Sequence, residues 1–223
     1  RFEVQGRLHT LVALGGDGTC RDIAKGWSNA PLIAISTGTN NVYPAPIDGT
    51  SAGTAAALVA GGIVQLESVA TPSKRVVITG TDASNGVSFE DLALVEVALV
   101  AGDFVGARAV SDPSSIRAVV AAIATPASTG LSSIAGRVHP VGRNEPGGVH
   151  LELETATTAA RCIRVPLAPG SFTTLGISEV TELTGGHTVV LHGPGILAFD
   201  GERDRRIGPA TTVTAMVDRH GPL

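Results

Sequence analysis

Leu11-Val12-Ala13-Leu14 runs directly into Gly15-Gly16-Asp17-Gly18-Thr19, and this stretch decides how the chain is read. A short apolar run that ends in glycines suits a strand buried on both faces, as in a parallel sheet. Thr19 to Lys25 then predicts a helix, with Thr19 as cap, Asp22 completing a capping box and Gly26 as the stop. Leu32-Ile33-Ala34-Ile35 predicts a second buried strand, followed by the polar loop Ser36 to Asn41. Thr50 to Ala60 is Ala-rich and helical, ending at Gly61-Gly62. Strand, glycine loop, helix, strand, polar loop, helix is an α/β pattern. Sheets usually hold about four to six strands, so further βα units are expected upstream of Arg1.

From about residue 64 the texture changes. Arg75 to Thr79, Asp91 to Val100, Val149 to Glu154, Ala160 to Val165, Thr188 to His192, Gly195 to Phe199 and Thr211 to Val217 all predict strands, separated by Gly, Pro and Asn. His150-Leu151-Glu152-Leu153-Glu154 alternates as a half-solvated antiparallel strand should. One helix is expected among them: Ser111 or Asp112 caps it, Pro113 lies in its first turn, and Ile116, Val119, Val120 and Ile123 form its apolar stripe.

Composition narrows the function classes. Aromatic residues make up only 3%, so Val, Leu, Ile and Ala must build the core. The net charge of -4 comes without a basic patch, which argues against nucleic acid and against an anionic membrane surface. No apolar run approaches the roughly 18 residues of a membrane span. Cys20 and Cys162 stand far apart without a partner motif and read as reduced thiols. The six histidines show no metal-ligand spacing, and no signal peptide is evident, so the expectation is a cytoplasmic chain without a resident metal.

The glycine loop is where chemistry is expected. Backbone N–H groups and a helix N-terminus converge there and form an anion site. Gly15, Gly16 and Gly18, with Thr19, would let a phosphate approach the backbone. Asp17 would repel that anion, which suggests a role in chemistry: holding Mg²⁺ against phosphates, or accepting the proton of an attacking hydroxyl. The plainer alternative is a tight turn capped by Asp17. The loop is neither a Walker A sequence nor the dinucleotide fingerprint. In the second loop Thr37, Gly38, Thr39, Asn40 and Asn41 offer hydroxyl and amide groups suited to phosphate and ribose, or form an ordinary polar loop.

Gly15-Gly16-Asp17-Gly18-Thr19 resembles the GGDGT hallmark shared by NAD kinases, diacylglycerol kinases and sphingosine kinases. Ile35-Ser-Thr-Gly-Thr-Asn-Asn-Val-Tyr-Pro44 resembles the ATP-NAD kinase-like proteins of acetoin-catabolism gene clusters, the AcoX group. Thr125-Pro-Ala-Ser-Thr-Gly-Leu-Ser-Ser-Ile-Ala-Gly-Arg-Val-His-Pro140 is similar to the NAD kinase segment TPTGSTAYxxSAGGPIVHP. Ala93-Leu-Val-Glu-Val97 falls where that family has A-L-N-E, and Val165-Pro-Leu-Ala-Pro-Gly-Ser171 where it has P-I-A-P-H-S-L. Phe199-Asp-Gly-Glu202 matches the D-G-E turn of the superfamily. Three departures lie on the acceptor side: Val95 replaces the family's Asn, Gly170 its His, and Ala127-Ser128-Thr129-Gly130 is a shuffled T-G-S-T.

The resemblance implies an α/β + β architecture: residues 1–63 as part of an α/β nucleotide-binding domain, 64–195 as a β-rich, sandwich-like acceptor domain, and 196–223 as a return toward the first. It implies an ATP-dependent kinase, Mg²⁺ arriving with the nucleotide, NAD as the acceptor through its adenosine 2′-OH, and a homo-oligomer. Asp17 would be catalytic, with Asp200 or Glu202 supplying a second carboxylate, unless Asp-Gly-Glu is only a hairpin turn. Gly15, Gly16, Gly18, Thr19 and Thr37 to Asn41 would bind nucleotide. Glu96, Ser128, Thr129 and Gly130 would bind acceptor, Glu96 otherwise being a solvent-facing strand residue. A lipid or small-metabolite kinase of the diacylglycerol kinase branch, and a nucleotide-binding regulator without catalysis, remain open alternatives.

Overall fold

The computed structural model describes residues 9–102, 112–168 and 170–223. β1 (Leu11–Gly15), α1 (Asp17–Gly26) and β2 (Leu32–Ser36) open the chain, followed by α2 (Gly49–Ala60) and α3 (Leu66–Val69). β1 and β2 pair in parallel from Leu11↔Leu32 to Gly15↔Ser36, as expected, but they are not buried on both faces: only Ala13 and Ile35 in them are buried, and Leu14 is 68% exposed. The α1 helix begins at Asp17 with Gly16 as its cap, so the capping box expected from Thr19 and Asp22 does not form. α2 is capped by Asp48, whose carboxylate accepts the Ser51 N–H at 2.9 Å.

The remaining strands are β3 (Arg75–Asp82), β4 (Val87–Ala93), β5 (Glu96–Val100), β6 (Ile116–Ala121), β7 (Gly148–Glu154), β8 (Arg161–Ala168), β9 (Ser171–Leu183), β10 (Thr188–His192), β11 (Gly195–Phe199), β12 (Glu202–Ile207) and β13 (Thr211–Asp218). α4 (Leu131–Val138) falls between β6 and β7. They build two antiparallel sheets, ordered β10-β13-β3-β4 and β12-β11-β5-β6-β7-β9-β8. The sheets pack face to face. Val76, Ile78, Val213 and Ala215 of the first meet Val97, Leu99, Val120, Leu197 and Phe199 of the second. The other face of the larger sheet carries Ala98, Val119, Leu151 and Val165 and is covered by Leu131, Ile134 and Ala135 of α4. Its central strands are therefore buried on both faces. Each fully buried Val, Leu or Phe contributes about 1.5–3 kcal/mol.

Two further expectations fail. The helix drawn through Ile116, Val119, Val120 and Ile123 does not exist: Asp112 caps a single 3-10 turn, Pro113–Ser115, and the chain then runs extended as β6. Ser111 lies outside the described residues. The spacing misleads because Ala118 and Val120 face one core while Val119 and Ala121 face the other, leaving a continuous apolar run. The strand expected over Asp91 to Val100 is likewise two strands, broken at Leu94-Val95.

A third cluster joins the α/β unit to the sheets. Cys20 and Ala24 of α1 pack with Tyr43, Leu94, Val95 and Ile123. Arg21 locks the same junction. Its Nε donates to Leu92 O at 2.7 Å, and its Nη2 reaches Asp91 at 2.9 Å and Asp204 at 2.8 Å. The guanidinium also lies 4.3 Å over the Phe199 ring. This junction places the loop before α1 against the sheets and creates the cleft described next.

Candidate active site

The glycines after β1 are required by their neighbours. A Cβ at Gly15 would come within 2.4 Å of Thr19 Oγ1, and one at Gly16 within 2.8 Å of Asn41 Oδ1. The loop can therefore lie against the segment that follows β2. Asn41 Nδ2 donates to Ser36 Oγ at 2.8 Å and holds that segment in a turn. Asp17, the first residue of α1, directs its carboxylate back at the end of the turn. Val42 N–H donates to its Oδ1 at 3.0 Å and Oδ2 at 3.1 Å, and Tyr43 N–H to Oδ1 at 2.7 Å. Asp17 therefore does not act as a simple helix cap.

A second carboxylate repeats the device. Asp200 and Gly201 form the two-residue turn between β11 and β12, with φ of 48° and 85°, as Asp-Gly favours in a tight hairpin. The Asp200 side chain accepts the N–H groups of Leu94 at 3.0 Å, Val95 at 2.8 Å and Glu96 at 3.2 Å. That contact is what breaks the expected long strand before β5. Asp-Gly-Glu is thus a hairpin turn whose first residue also reaches the cleft.

Asp17, Glu96 and Asp200 line one cleft of about 70 Å³ together with Asn40, Thr129, Gly130, Ser132 and Leu167. That is room for a hydroxyl group and its attached carbon or for about two waters. Glu96 is buried at 5% exposure, which corrects the solvent-facing alternative. Burial, and then the charges of Asp200 and Asp17, push the Glu96 carboxyl well above its ordinary range. Burial raises Asp200 to about 7 against the pull of the Leu94, Val95 and Glu96 amides, with Asp17 adding to the rise. Burial also raises Asp17, while the Tyr43 and Val42 amides and the Arg143 charge draw it back down. Like charges lining one small cleft each disfavour ionisation of the others. Glu96 keeps the proton first, because Asp200 and Asp17 have amide donors to hold their charge.

Of the residues singled out from the sequence, Asp17, Asn40, Glu96, Thr129, Gly130 and Asp200 line this cleft and the others do not. Asn40 Oδ1 accepts the Thr129 N–H at 3.3 Å and also the Thr129 hydroxyl, joining the two polar loops across the cleft. Gly130 adopts φ of 83° and donates to Pro166 O at 2.9 Å, turning the chain into α4. Glu202 is exposed, but its Oε1 lies 3.2 Å from where a Gly18 Cβ would stand, so its carboxylate leans on the glycine loop. Thr19, Thr37, Gly38 and Thr39 are exposed and lie outside the cleft lining. Ser128 turns its hydroxyl onto Thr125 O at 2.9 Å and does not line the cleft either.

The sequence reading missed Ser132, whose hydroxyl donates to Ile123 O at 3.0 Å, and Arg143. Arg143 donates to Val42 O at 2.9 Å and to Tyr43 O. The only local signal for it was a cation three residues past the matched His139-Pro140. Two departures acquire a physical account. Val95 presents its N–H to Asp200, while its side chain is buried with Cys20, Ala24 and Tyr43. Gly170, at φ of 75°, occupies a turn where any side chain is strained. Among the described residues no group of three or more His, Cys, Asp and Glu side chains is arranged for a metal, and no helix is long and apolar enough to cross a membrane.

Comparison with known proteins places this geometry in context. The fold is similar to yeast NADH kinase, in a crystal structure with NADH, at a TM-score of 0.54 and 14% identity, covering 96% of this chain and 61% of that one. The chain is 36% identical over 211 residues to acetoin catabolism protein X of Cupriavidus necator, covering 94% of this chain. It spans 58% of that relative's length. The family model of the acetoin catabolism protein X C-terminal domain matches residues 74–220. The chain belongs to the acetoin catabolism protein X family and has an NAD kinase-like, β-rich fold.

Proposed function

We propose that the protein is an ATP-dependent phosphotransferase that moves the γ-phosphoryl group of ATP to a hydroxyl acceptor, with the adenosine 2′-OH of NAD as the leading acceptor. The observation that carries this reading is the convergence of Asp17, Glu96 and Asp200 on one cleft behind the glycine loop. The NAD kinase-like fold agrees with it, and the yeast neighbour that shares this fold is an NADH kinase.

The residues fit a phosphate chain. Gly15, Gly16 and Gly18 leave the backbone bare where side chains would meet Thr19, Asn41 or Glu202, and the α1 N-terminus favours an anion. Mg²⁺ entering with the nucleotide would neutralise charge on the phosphates, and Glu202, leaning on that loop, is the carboxylate suited to it. Asp17 Oδ1 is occupied by two amides, but Oδ2 shares only one and keeps acceptor capacity. Asp17 takes the proton as the acceptor oxygen forms its bond to the γ-phosphorus. The bond from that phosphorus to the bridging oxygen breaks, and ADP leaves with the electron pair. Glu96, held protonated, can donate a hydrogen bond to an acceptor hydroxyl; Thr129 and Gly130 form the opposite wall. In this reading residues 1–63 carry the donor side and 64–195 the acceptor side, with 196–223 returning Asp200 to the cleft.

A second acceptor class is favoured by one observation. Val95 turns into the apolar cluster below α1 where the NAD kinase pattern has Asn, so one polar contact to a dinucleotide is missing. A smaller hydroxyl metabolite would not need it. The test is incubation of the full-length protein with γ-labelled ATP, Mg²⁺ and either NAD⁺ or a panel of small hydroxy compounds. Label in NADP⁺ supports the first acceptor, and label in another product supports the second. ATP binding without any labelled product would instead indicate a nucleotide-binding regulator and sink the enzymatic reading.

A further inference from the structure

The amides that hold Asp17 belong to a stretch with no regular structure of its own. Residues 41–44 are neither helix nor strand. Asn41, bonded to Ser36, and Ala45, bridged to Ile35 of β2, anchor its two ends, and the Val42–Tyr43 peptide groups between them take a further support. Arg143 supplies it from the opposite side of the chain, on the loop that follows α4. Its Nη2 donates to Val42 O at 2.9 Å and to Tyr43 O. Its guanidinium also lies over the Tyr43 ring at 5.1 Å. The ring is pinned in turn, because Tyr43 is buried and its hydroxyl meets Ser73 Oγ at 3.0 Å.

The Val42–Tyr43 peptide unit is the critical link. Its carbonyl oxygen receives Arg143 and its N–H donates to Asp17 at 2.7 Å, the shortest of the bonds to that carboxylate. Guanidinium, peptide and carboxylate thus form one hydrogen-bonded chain with a cation at one end and an anion at the other. Each bond polarises the next, and a charged donor strengthens both. We infer that Arg143 is the positioning residue of the cleft, holding the Val42 and Tyr43 amides against the Asp17 carboxylate through this peptide relay. It does not line the cleft itself.

This inference rests on the reading of Asp17 as the phosphotransfer base, and its test separates the two. The groups around Asp17 are Glu96 from β5, Asp200 from the β11–β12 turn, Cys20 on α1, Glu202 beside Gly18, and Arg143. Of these only Arg143 is cationic, so removing it leaves the Asp17 charge among acids. The measurement is a ¹³C NMR titration of the side-chain carboxyls in the full-length protein, with Asp17 assigned by Asp17→Asn. Arg143→Ala should move the Asp17 midpoint upward, and Arg143→Lys, which keeps a charge and a donor, should return part of the shift. In the transfer assay, the acid limb of the rate profile should move the same way. The kcat of Arg143→Ala should fall about 10- to 100-fold, the scale of a misplaced catalytic group, with the acceptor KM changed less than about threefold. An unmoved Asp17 titration in a folded Arg143→Ala protein overturns the inference, whatever the activity. A moved titration in a protein that transfers phosphate to no acceptor keeps Arg143 as the positioner and refutes the kinase reading instead.

Discussion

Arg21 ties α1 to the sheets, and its replacement by Met puts a magnitude on that junction. The buried carboxylate it leaves behind is Asp91, whose side chain is 2% exposed; Asp204, the other partner of Arg21, is 42% exposed. Breaking a buried ion pair by removing one partner costs about 3–5 kcal/mol, because the remaining charge loses its compensation. Lys25 stays within 3.1 Å of Asp91 but is 42% exposed, so it places the loss toward the lower end rather than cancelling it. For a chain of this size each kcal/mol lowers the Tm by about 2–4 °C, so a drop of about 6–12 °C follows from a loss of about 3 kcal/mol. Urea unfolding can be followed through Trp27, the single tryptophan, which lies at the end of α1. The double variant Arg21→Met with Asp91→Leu should recover most of the loss, since replacing both partners by apolar groups is often neutral or better. The acid limb should respond as well. Burial pushes Asp91 up, but the Leu92 amide, Arg21 and Lys25 outweigh it and hold the carboxyl below its usual range. Its contribution is therefore present above about pH 4 and lost as pH falls through the depressed value, and Arg21→Met should flatten that loss. A destabilisation below about 1 kcal/mol, or no recovery in the double variant, would refute this account of the junction.

Asp17→Ala leaves the Val42 and Tyr43 amides without their acceptor and should cost about 2–6 kcal/mol in urea unfolding, at about 1–3 kcal/mol for each orphaned group. Asp17→Asn, which keeps an acceptor oxygen, should cost less than half as much; equal losses would contradict the amide clamp. Asp200 is raised from 3.8 to about 7, so the native state holds an extra proton between those values and the stability this group contributes is lost as pH rises through about 7. Asp200→Asn should therefore flatten the decline in Tm between pH 5 and 8, and an unchanged slope would show that Asp200 is not the group responsible. A Cβ at Gly136 would come within 2.3 Å of the Thr125 backbone carbon, so Gly136→Ala should cost about 1–3 kcal/mol and displace the start of α4, read by unfolding and by the Thr129 and Gly130 amide shifts.

What the sequence made legible follows from where its signals are local. The β1–loop–α1–β2 order was readable because an unbroken apolar run, a glycine cluster and a polar loop each have one simple explanation. Thr188–His192 and Gly195–Phe199 were readable as strands for the same reason, bounded by Gly and Pro. β6 was not, because burial on both faces erases the period that separates strand from helix. α4 was also missed: Leu131-Ser-Ser-Ile-Ala-Gly is built from small residues, buried almost all round, and starts after a glycine without a side-chain cap. Within the site, Asp17, Glu96, Asp200, Asn40, Thr129 and Gly130 could be marked through motif resemblance, and the fold brings them to one cleft. Arg21 and Arg143 could not be marked. Their partners lie 70 or more positions away, and no local pattern announces a contact of that range.

The central claim is that the Asp17 carboxylate, in a cleft otherwise unchanged, carries a phosphoryl transfer from ATP to a hydroxyl. The most direct measurement is the rate of NADP⁺ formation from NAD⁺, ATP and Mg²⁺ by the full-length protein, compared with Asp17→Asn under conditions where both are folded. The account predicts measurable NADP⁺ from the parent protein and a rate lower by about 10²–10⁴-fold in the variant, the usual worth of a positioned general base. Comparable rates from the two proteins would contradict it, because the carboxylate would then have no part in the chemistry.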